Sequence, residues 1–473
     1  MFSEHFNISA TVINISIAIF LAIYAIRKKS ASSIFLSLFL YITFHYTYSV
    51  LFIFSPFFDP SEYGDLHYQT FNGVKAVGFG FLFFILAMLF IRYRKHIFYR
   101  NDYMAEKYLK TIFLLWLAMV FSNWTVEWIK GAFPTKIVLQ DFFSCFLMVI
   151  LTWSFKVALY DQKDHYNSFQ KNVGRVLLAV LILMVAVGTC ELLLLRTWSL
   201  VDIDSQEYVR RANSLLFNPN VLGFWCAFVA IFASFIFHFK MCSKKISALM
   251  LVLAGYGILL SGSRSGLIIC LLLLGLASIL LFAIKKRNSE TAAFTPLLIF
   301  VAGMGIISFI LKGLDKITNS TLKGLRAMAL LVERFIDIPK QIAGYVITSL
   351  TGVDIFQNNS GLEYSFNIEA RLTTTANLPD NGYLAMLKED GWPAMITWII
   401  LWILLAVIGI QALRKAPGIR SAYSLSLVVG CALSAMFVRA FQVFPFWVII
   451  SLCLSLCLAW FSVVFRKEET SND

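Results

Sequence analysis

Along this chain of 473 residues, apolar runs of roughly 20 residues alternate with short polar links, and each run is long enough to cross a bilayer as a helix. The runs fall near 8–26, 33–55, 71–91, 108–128, 138–160, 175–196, 220–239, 246–262, 265–284, 295–312, 391–413, 421–438 and 445–465. Between 313 and 390 the alternation stops and a long mixed segment takes its place. Part of that segment, "LRAMALLVERFI", repeats apolar residues at helical spacing, which predicts helices lying over the membrane surface rather than a structureless linker. The fold expected is an all-α polytopic membrane protein with about 12–13 transmembrane helices and one large outward loop. Four regions follow: 1–195 as N-terminal transmembrane helices, 196–312 as central ones, 313–390 as the loop and 391–473 as C-terminal helices.

Composition agrees. Hydrophobic residues make up 59% of the chain and charged residues only 14%, against about 25% charged in a soluble domain. The net charge of +13 is therefore read in relation to a membrane, and no nucleic-acid partner is expected. The basic residues cluster in alternate links: Arg27 to Lys29; Arg92 to Lys110; Lys156, Lys163, Lys171 and Arg175; Lys240, Lys244 and Lys245; Lys285 to Arg287; Arg414, Lys415 and Arg420; and Arg466 with Lys467. These groups hold 24 of the 40 basic residues, so the positive-inside rule puts their side in the cytoplasm and the N-terminus outside. The first apolar run has no basic leader and no small-residue cleavage site, so no cleavable signal peptide is expected. The eight cysteines lie in or beside apolar runs, without a CxxC pair or metal spacing, and read as small membrane hydrophobes.

The outward side carries more positive charge than orientation explains. It concentrates in Arg196 to Arg211, in the short link "SGSRSG" from Ser261 to Gly266, and in the segment from Lys312 to Lys388. A planar guanidinium grips phosphate through two hydrogen bonds, which suits these arginines to an anionic ligand; snorkelling of Arg264 to the headgroups is the plainer alternative. In "RRANSLLFNPN", Asn218-Pro219-Asn220 reads as a turn and helix start, an assignment that leaves Arg210 and Arg211 unexplained. In "PDNGYLAMLKEDGWPA", Asp380 and Asn381 read as a helix N-cap ahead of the apolar positions Tyr383, Leu384 and Leu387.

Taken together and in this order, the three elements resemble the O-antigen ligase and polymerase superfamily, membrane enzymes that join lipid-linked bacterial glycans. The resemblance rests on Arg211 ahead of Asn218, Pro219, Asn220 and Gly223; on Gly262, Ser263 and Arg264; and on Asn381 with Gly391 ten residues later, at the end of a large periplasmic loop. It covers roughly 196–413, while residues 1–195 match only as a set of spans. It implies a GT-C-like membrane glycosyltransferase of the bacterial inner membrane with its active site facing the periplasm. The implied reaction is a metal-independent, inverting transfer with no cofactor. The implied partners are an undecaprenyl-pyrophosphate-linked glycan donor, a glycan or lipid-linked acceptor, membrane lipids and a chain-length regulator protein.

On that reading Arg211, Arg264 and Asp380 are the catalytic residues. The two arginines would bind the pyrophosphate and stabilise the charge that develops as it leaves. Arg210, Asn218, Asn220, Asn381, Arg326, Arg334 and Arg371 are the expected substrate contacts. Asp380 stands where ligases of the superfamily usually have histidine, which shifts the reading from ligase towards polymerase; a carboxylate with raised pKa also serves as a general base. Two features stay outside the resemblance. Asp59, Glu62 and Asp65 in the first outward loop resemble the acidic motif of metal-using membrane glycosyltransferases, although ordinary solvation of a translocated loop also explains them; Glu191 lies late in an apolar run, where acids are often functional, a position from which it also reaches the outer interface beside Arg196. A non-enzymatic transporter of lipid-linked sugar is the remaining alternative, although such a protein places its charges near the midplane and here they gather at one face.

Overall fold

The computed structural model describes residues 2–28, 31–44, 77–91, 103–129, 135–161, 166–193, 198–201, 208–212, 214–216, 219–239, 243–284, 290–311, 383, 386, 391–435 and 444–469. Among them, every apolar run expected from the pattern carries a helix. These are α1 (Phe2–Lys28), α2 (Ala31–Phe44), α3 (Val77–Ile91), α4 (Met104–Ile129), α5 (Thr135–Asp161), α6 (Tyr166–Leu193), α7 (Pro219–Phe239), α8 (Lys244–Ser261), α9 (Arg264–Ile284), α10 (Glu290–Leu311), α11 (Gly391–Lys415), α12 (Ile419–Ser434) and α13 (Phe444–Glu469). Eight helices among the described residues are long and apolar enough to cross a membrane, and the apolar parts of α3, α5, α10 and α12 are shorter. The protein is a multi-pass helical membrane protein. Nearly all of the 313–390 loop, with Asp59, Glu62 and Asp65, lies outside the described residues.

One short hairpin joins the helical plan. The strands β1 (Trp198–Val201) and β2 (Tyr208–Arg211) pair antiparallel, with Trp198 opposite Arg211 and Ser199 opposite Arg210. The signal is local: two segments of aromatic and β-branched residues flank the polar stretch "DIDSQE", and each is too short for a helix.

The central helices form the densest part of the bundle. α7 packs on α8 and α9, α9 on α10 and α12, and α12 on α11 and α13, while α4 meets α11 and α5 meets α13. Small residues permit the close crossings: a Cβ at Gly430 would fall 2.1 Å from Leu273 Cδ2, so α12 and α9 touch where only hydrogen fits. Aromatic rings fill the wider gaps, with Trp116 of α4 tilted over Trp398 of α11 at 4.7 Å. Phe20, Leu114, Leu298 and Ile403 stay exposed, as suits helices whose outer face meets lipid.

The two ends of the bundle differ in chemistry. At one end the Arg420 guanidinium lies 5.1 Å from the Phe239 ring and 5.2 Å from the Trp460 ring, and Lys415 sits 5.0 Å over Phe465. Lys156 Nζ donates to Glu106 Oε1 at 2.8 Å, with both side chains about 1% exposed, and Lys110 approaches the same oxygen at 3.5 Å. Tyr103, just before Glu106 in the chain, packs on Phe465 at 5.2 Å. Basic links from distant parts of the chain therefore share one end, as their alternation in sequence requires.

Candidate functional site

The opposite end is built around the link between α8 and α9, which consists of Gly262 and Ser263 alone. Gly262 adopts a left-handed conformation (φ 56°) that glycine enters without penalty, and its N–H closes α8 by donating to Leu259 O at 3.0 Å. Ser263 then caps α9, its Oγ accepting the Gly266 N–H at 3.1 Å. Ser261 Oγ accepts the Ser263 N–H at 3.1 Å and donates to Ile258 O at 2.8 Å. "SGSRSG" is thus a C-cap glycine followed directly by an N-cap serine, and Arg264 is the first residue of a 21-residue helix.

The start of α7 lies directly against this link. A Cβ on Gly223 would stand 2.3 Å from Ser263 Cβ, and one on Gly266 would stand 2.7 Å from the Gly223 carbonyl carbon. The glycine after the "NPN" stretch and the last glycine of "SGSRSG" are therefore one contact, in which backbone meets backbone. No spacing in the sequence shows this.

Arg211 closes the arrangement. It ends β2 half-buried, and its Nε donates to Ser261 O at 2.8 Å while Nη2 donates to Asn220 Oδ1 at 2.6 Å. Its side-chain carbons lie on Gly262, whose added Cβ would be 3.4 Å from Arg211 Cγ. The next residue is anchored too, the Ala212 N–H donating to Leu260 O at 2.9 Å. One arginine thus ties "RRANSLLFNPN" to "SGSRSG", and Asn220, expected among the substrate contacts, orients that arginine.

Beneath it the chain turns through Ser214, whose φ of 51° is the one positive value at a non-glycine residue among the described residues. Its N–H donates to Glu191 Oε2 at 2.8 Å and its hydroxyl to Met184 O at 2.7 Å, both on α6. Glu191, the acid late in the apolar run, is completely buried here.

The third element meets the bundle at the same end. Tyr383 donates its hydroxyl to Ala432 O at 3.0 Å, in the last turn of α12. Burial pushes its phenol well above the ordinary pKa, so the hydroxyl remains a donor. Gly391 opens α11 at φ 83°, with space for a Cβ limited by Asn123 Oδ1 at 3.0 Å.

Of the remaining expected site residues, Arg210 is placed by its strand pairing with Ser199 and Arg264 by its position at the start of α9. Asn218, Asp380, Asn381, Arg326, Arg334 and Arg371 lie outside the described residues. Among the described residues no three His, Cys, Asp or Glu side chains gather at metal-holding distance. Ser261, Ser263, Ser214 and Glu191 are not among the catalytic or substrate-contact residues expected from the sequence. The serines had a readable signal, since small hydroxyl residues beside glycine are the ordinary means of ending and starting helices; the pairing of Glu191 with Ser214 had none.

Chemically, this end of the bundle offers a guanidinium oriented by two acceptors beside the positive end of a helix that begins with a second arginine, a combination suited to an anion. No protein-family model matches the chain, and no curated protein matches it.

Proposed function

We propose that this end of the bundle binds the pyrophosphate of an undecaprenyl-pyrophosphate-linked glycan and transfers the glycan to a new lipid-linked repeat unit. The protein would then be a polymerase of O-antigen or a related surface polysaccharide. The observation that carries the proposal is Arg211, whose bonds to Ser261 and Asn220 bring two separate arginine-bearing motifs to one place. The resemblance to the O-antigen ligase and polymerase superfamily supports it, because the same residues carry that resemblance. The setting is a GT-C-like enzyme of the bacterial inner membrane, acting on the periplasmic face beside a chain-length regulator.

In the reaction an acceptor hydroxyl oxygen attacks the anomeric carbon of the donor. The bond from that carbon to the pyrophosphate oxygen breaks with inversion, the hydroxyl proton passes to Asp380, and undecaprenyl pyrophosphate leaves. Arg211 and Arg264 neutralise the charge gathering on the leaving group, an electrostatic role of the kind that dominates many active sites. Arg210, Asn218 and Asn381 are the proposed substrate contacts, with Arg326, Arg334 and Arg371 of the 313–390 loop proposed to contact the glycan. The proton transfer is general-base catalysis by a carboxylate, and no step is routed through a metal or cofactor.

The deciding experiment is the glycan profile of a deletion strain. A polymerase leaves a single repeat unit on the lipid core and no ladder. Complete loss of attached chains, with polymer stranded on undecaprenyl pyrophosphate, makes the protein a ligase to lipid A core. Lipid-linked repeat units trapped on the cytoplasmic face make it a transporter, and an unchanged profile overturns the proposal.

A further inference from the structure

The geometry points to Glu191 as the positioning residue that holds Arg211 in place for the transfer. The inference rests on the proposed function for its link to catalysis, although the positioning itself is testable apart from it. Ala212 follows Arg211 directly, and it and Ser214 are secured on two sides. On the α8 side the Ala212 N–H donates to Leu260 O at 2.9 Å. On the α6 side Glu191 Oε2 accepts the Ser214 N–H at 2.8 Å, and the Ser214 hydroxyl donates to Met184 O at 2.7 Å. Gly188, one turn before Glu191, lies against the same segment: a Cβ there would stand in ordinary contact, 3.4 Å from Ala212 Cβ and 3.7 Å from Ser214 Cβ.

Two features make Glu191 the controlling contact. Ser214 holds a left-handed conformation (φ 51°), which a side-chain-bearing residue keeps only where surrounding bonds over-determine it. A buried backbone N–H also demands an acceptor, and for Ser214 that acceptor is Glu191 Oε2. A carboxyl group reaching out of α6 meets the demand. Glu191 is fully buried, so its role is inside the protein and not at the membrane surface. It acts at one remove, through the turn at Ser214, on the strand end that carries Arg211. A guanidinium displaced by about 1 Å forfeits much of its effect on a reacting phosphate.

Hydrogen exchange on the full-length protein in lipid nanodiscs tests the positioning, with transfer assays run alongside on Glu191→Gln, Glu191→Asp and Glu191→Leu. Glutamine keeps an acceptor oxygen at the same reach, so protection of the amides at Ala212 and Ser214 and the transfer rate are expected to stay near wild type. Leucine removes the acceptor, and aspartate withdraws it by one methylene; either variant is expected to lose that protection and to slow transfer about 10- to 100-fold. Aspartate keeps the test intact where leucine does not fold. Adding Arg211→Lys to the weakened variant should slow transfer by less than the product of the two separate effects, since both act through one guanidinium. Unchanged protection in Glu191→Asp and Glu191→Leu overturns the positioning role, as does loss of protection in Glu191→Gln equal to that in leucine. Full transfer activity in Arg211→Lys alone, with the segment loosened by Glu191→Leu, overturns the proposed function and leaves the positioning in place.

Discussion

Arg211 and Asn220 meet side chain to side chain, Nη2 donating to Oδ1 at 2.6 Å across nine positions of sequence. Asn220 stands in the first turn of α7 and Arg211 ends β2, so this bond helps fix where the hairpin stands relative to the bundle. Hydrogen bonds to a charged group contribute about 1.5–3 kcal/mol each. Asn220→Leu is accordingly expected to reduce transfer roughly 10- to 100-fold, whereas Asn220→Asp, which keeps the acceptor, should retain most of it. Equal loss in both variants, measured as polymer formed per unit of membrane-inserted protein, would show that the acceptor oxygen is not what Arg211 needs.

Lysine substitutions at the two arginines separate charge from geometry. Arg211→Lys and Arg264→Lys keep the positive charge and lose the two-pronged guanidinium. Each is expected to slow transfer about 10²- to 10³-fold, the usual effect of removing one donor aimed at developing charge, with normal membrane insertion. Arg210→Ala should be milder. Full activity in Arg264→Lys would return that residue to snorkelling.

Gly223 and Gly266 should tolerate no side chain. A Cβ on Gly223 would lie 2.3 Å from Ser263 Cβ, while one on Gly275, on the same helix as Gly266, meets nothing within 4 Å. Gly223→Ala and Gly266→Ala are therefore expected to destabilise the protein by about 1–3 kcal/mol through forced separation of α7 and α9, and Gly275→Ala to be neutral or stabilising. Thermal unfolding in detergent compares the three, and equal melting temperatures would argue against so close a crossing.

Asp380→Asn tests the proposed base. An amide caps a helix about as well as a carboxylate but accepts no proton, so polymer formation should fall about 10²- to 10⁴-fold while the protein folds and inserts normally. Asp380→His should recover part of the activity. Near-normal activity in Asp380→Asn would reduce Asp380 to a cap and move the search to Glu363, Glu369 or Glu389.

The opposite end offers a stability test independent of any activity. Lys156 and Glu106 form a buried pair at 2.8 Å, and breaking such a pair costs up to about 3–5 kcal/mol, a cost lowered here because Lys110 stays 3.5 Å from the same carboxylate. Lys156→Met should therefore unfold at markedly lower temperature, and Lys156→Met with Glu106→Gln should recover much of the loss. A double variant no better than the single one would mean that the pair is not what joins α4 to α5.

The helices were legible in the sequence, often to within a few residues. The expected run 220–239 is α7 (Pro219–Phe239), and 265–284 is α9 (Arg264–Ile284). A bilayer demands a fixed apolar length, and a helix satisfies its own backbone, so composition along the chain decides each span without help from neighbours. The link between α8 and α9 announced itself equally well: Gly262 and Ser263 end one helix and start the next through bonds that reach only three residues.

Relationships across the bundle were decided by tertiary structure alone. That Gly223 lies on Gly266, that Arg211 reaches Ser261, and that Glu191 receives the Ser214 N–H depend on which helices pack together and at what rotation. Hydropathy leaves that open, because in a membrane both a lipid-facing and a helix-facing surface are apolar. The order of three motifs along the chain suggested a common site; the physical reason that Arg211 stands where it does is a set of directed hydrogen bonds and one backbone-to-backbone contact, neither of which has a period or a spacing to read.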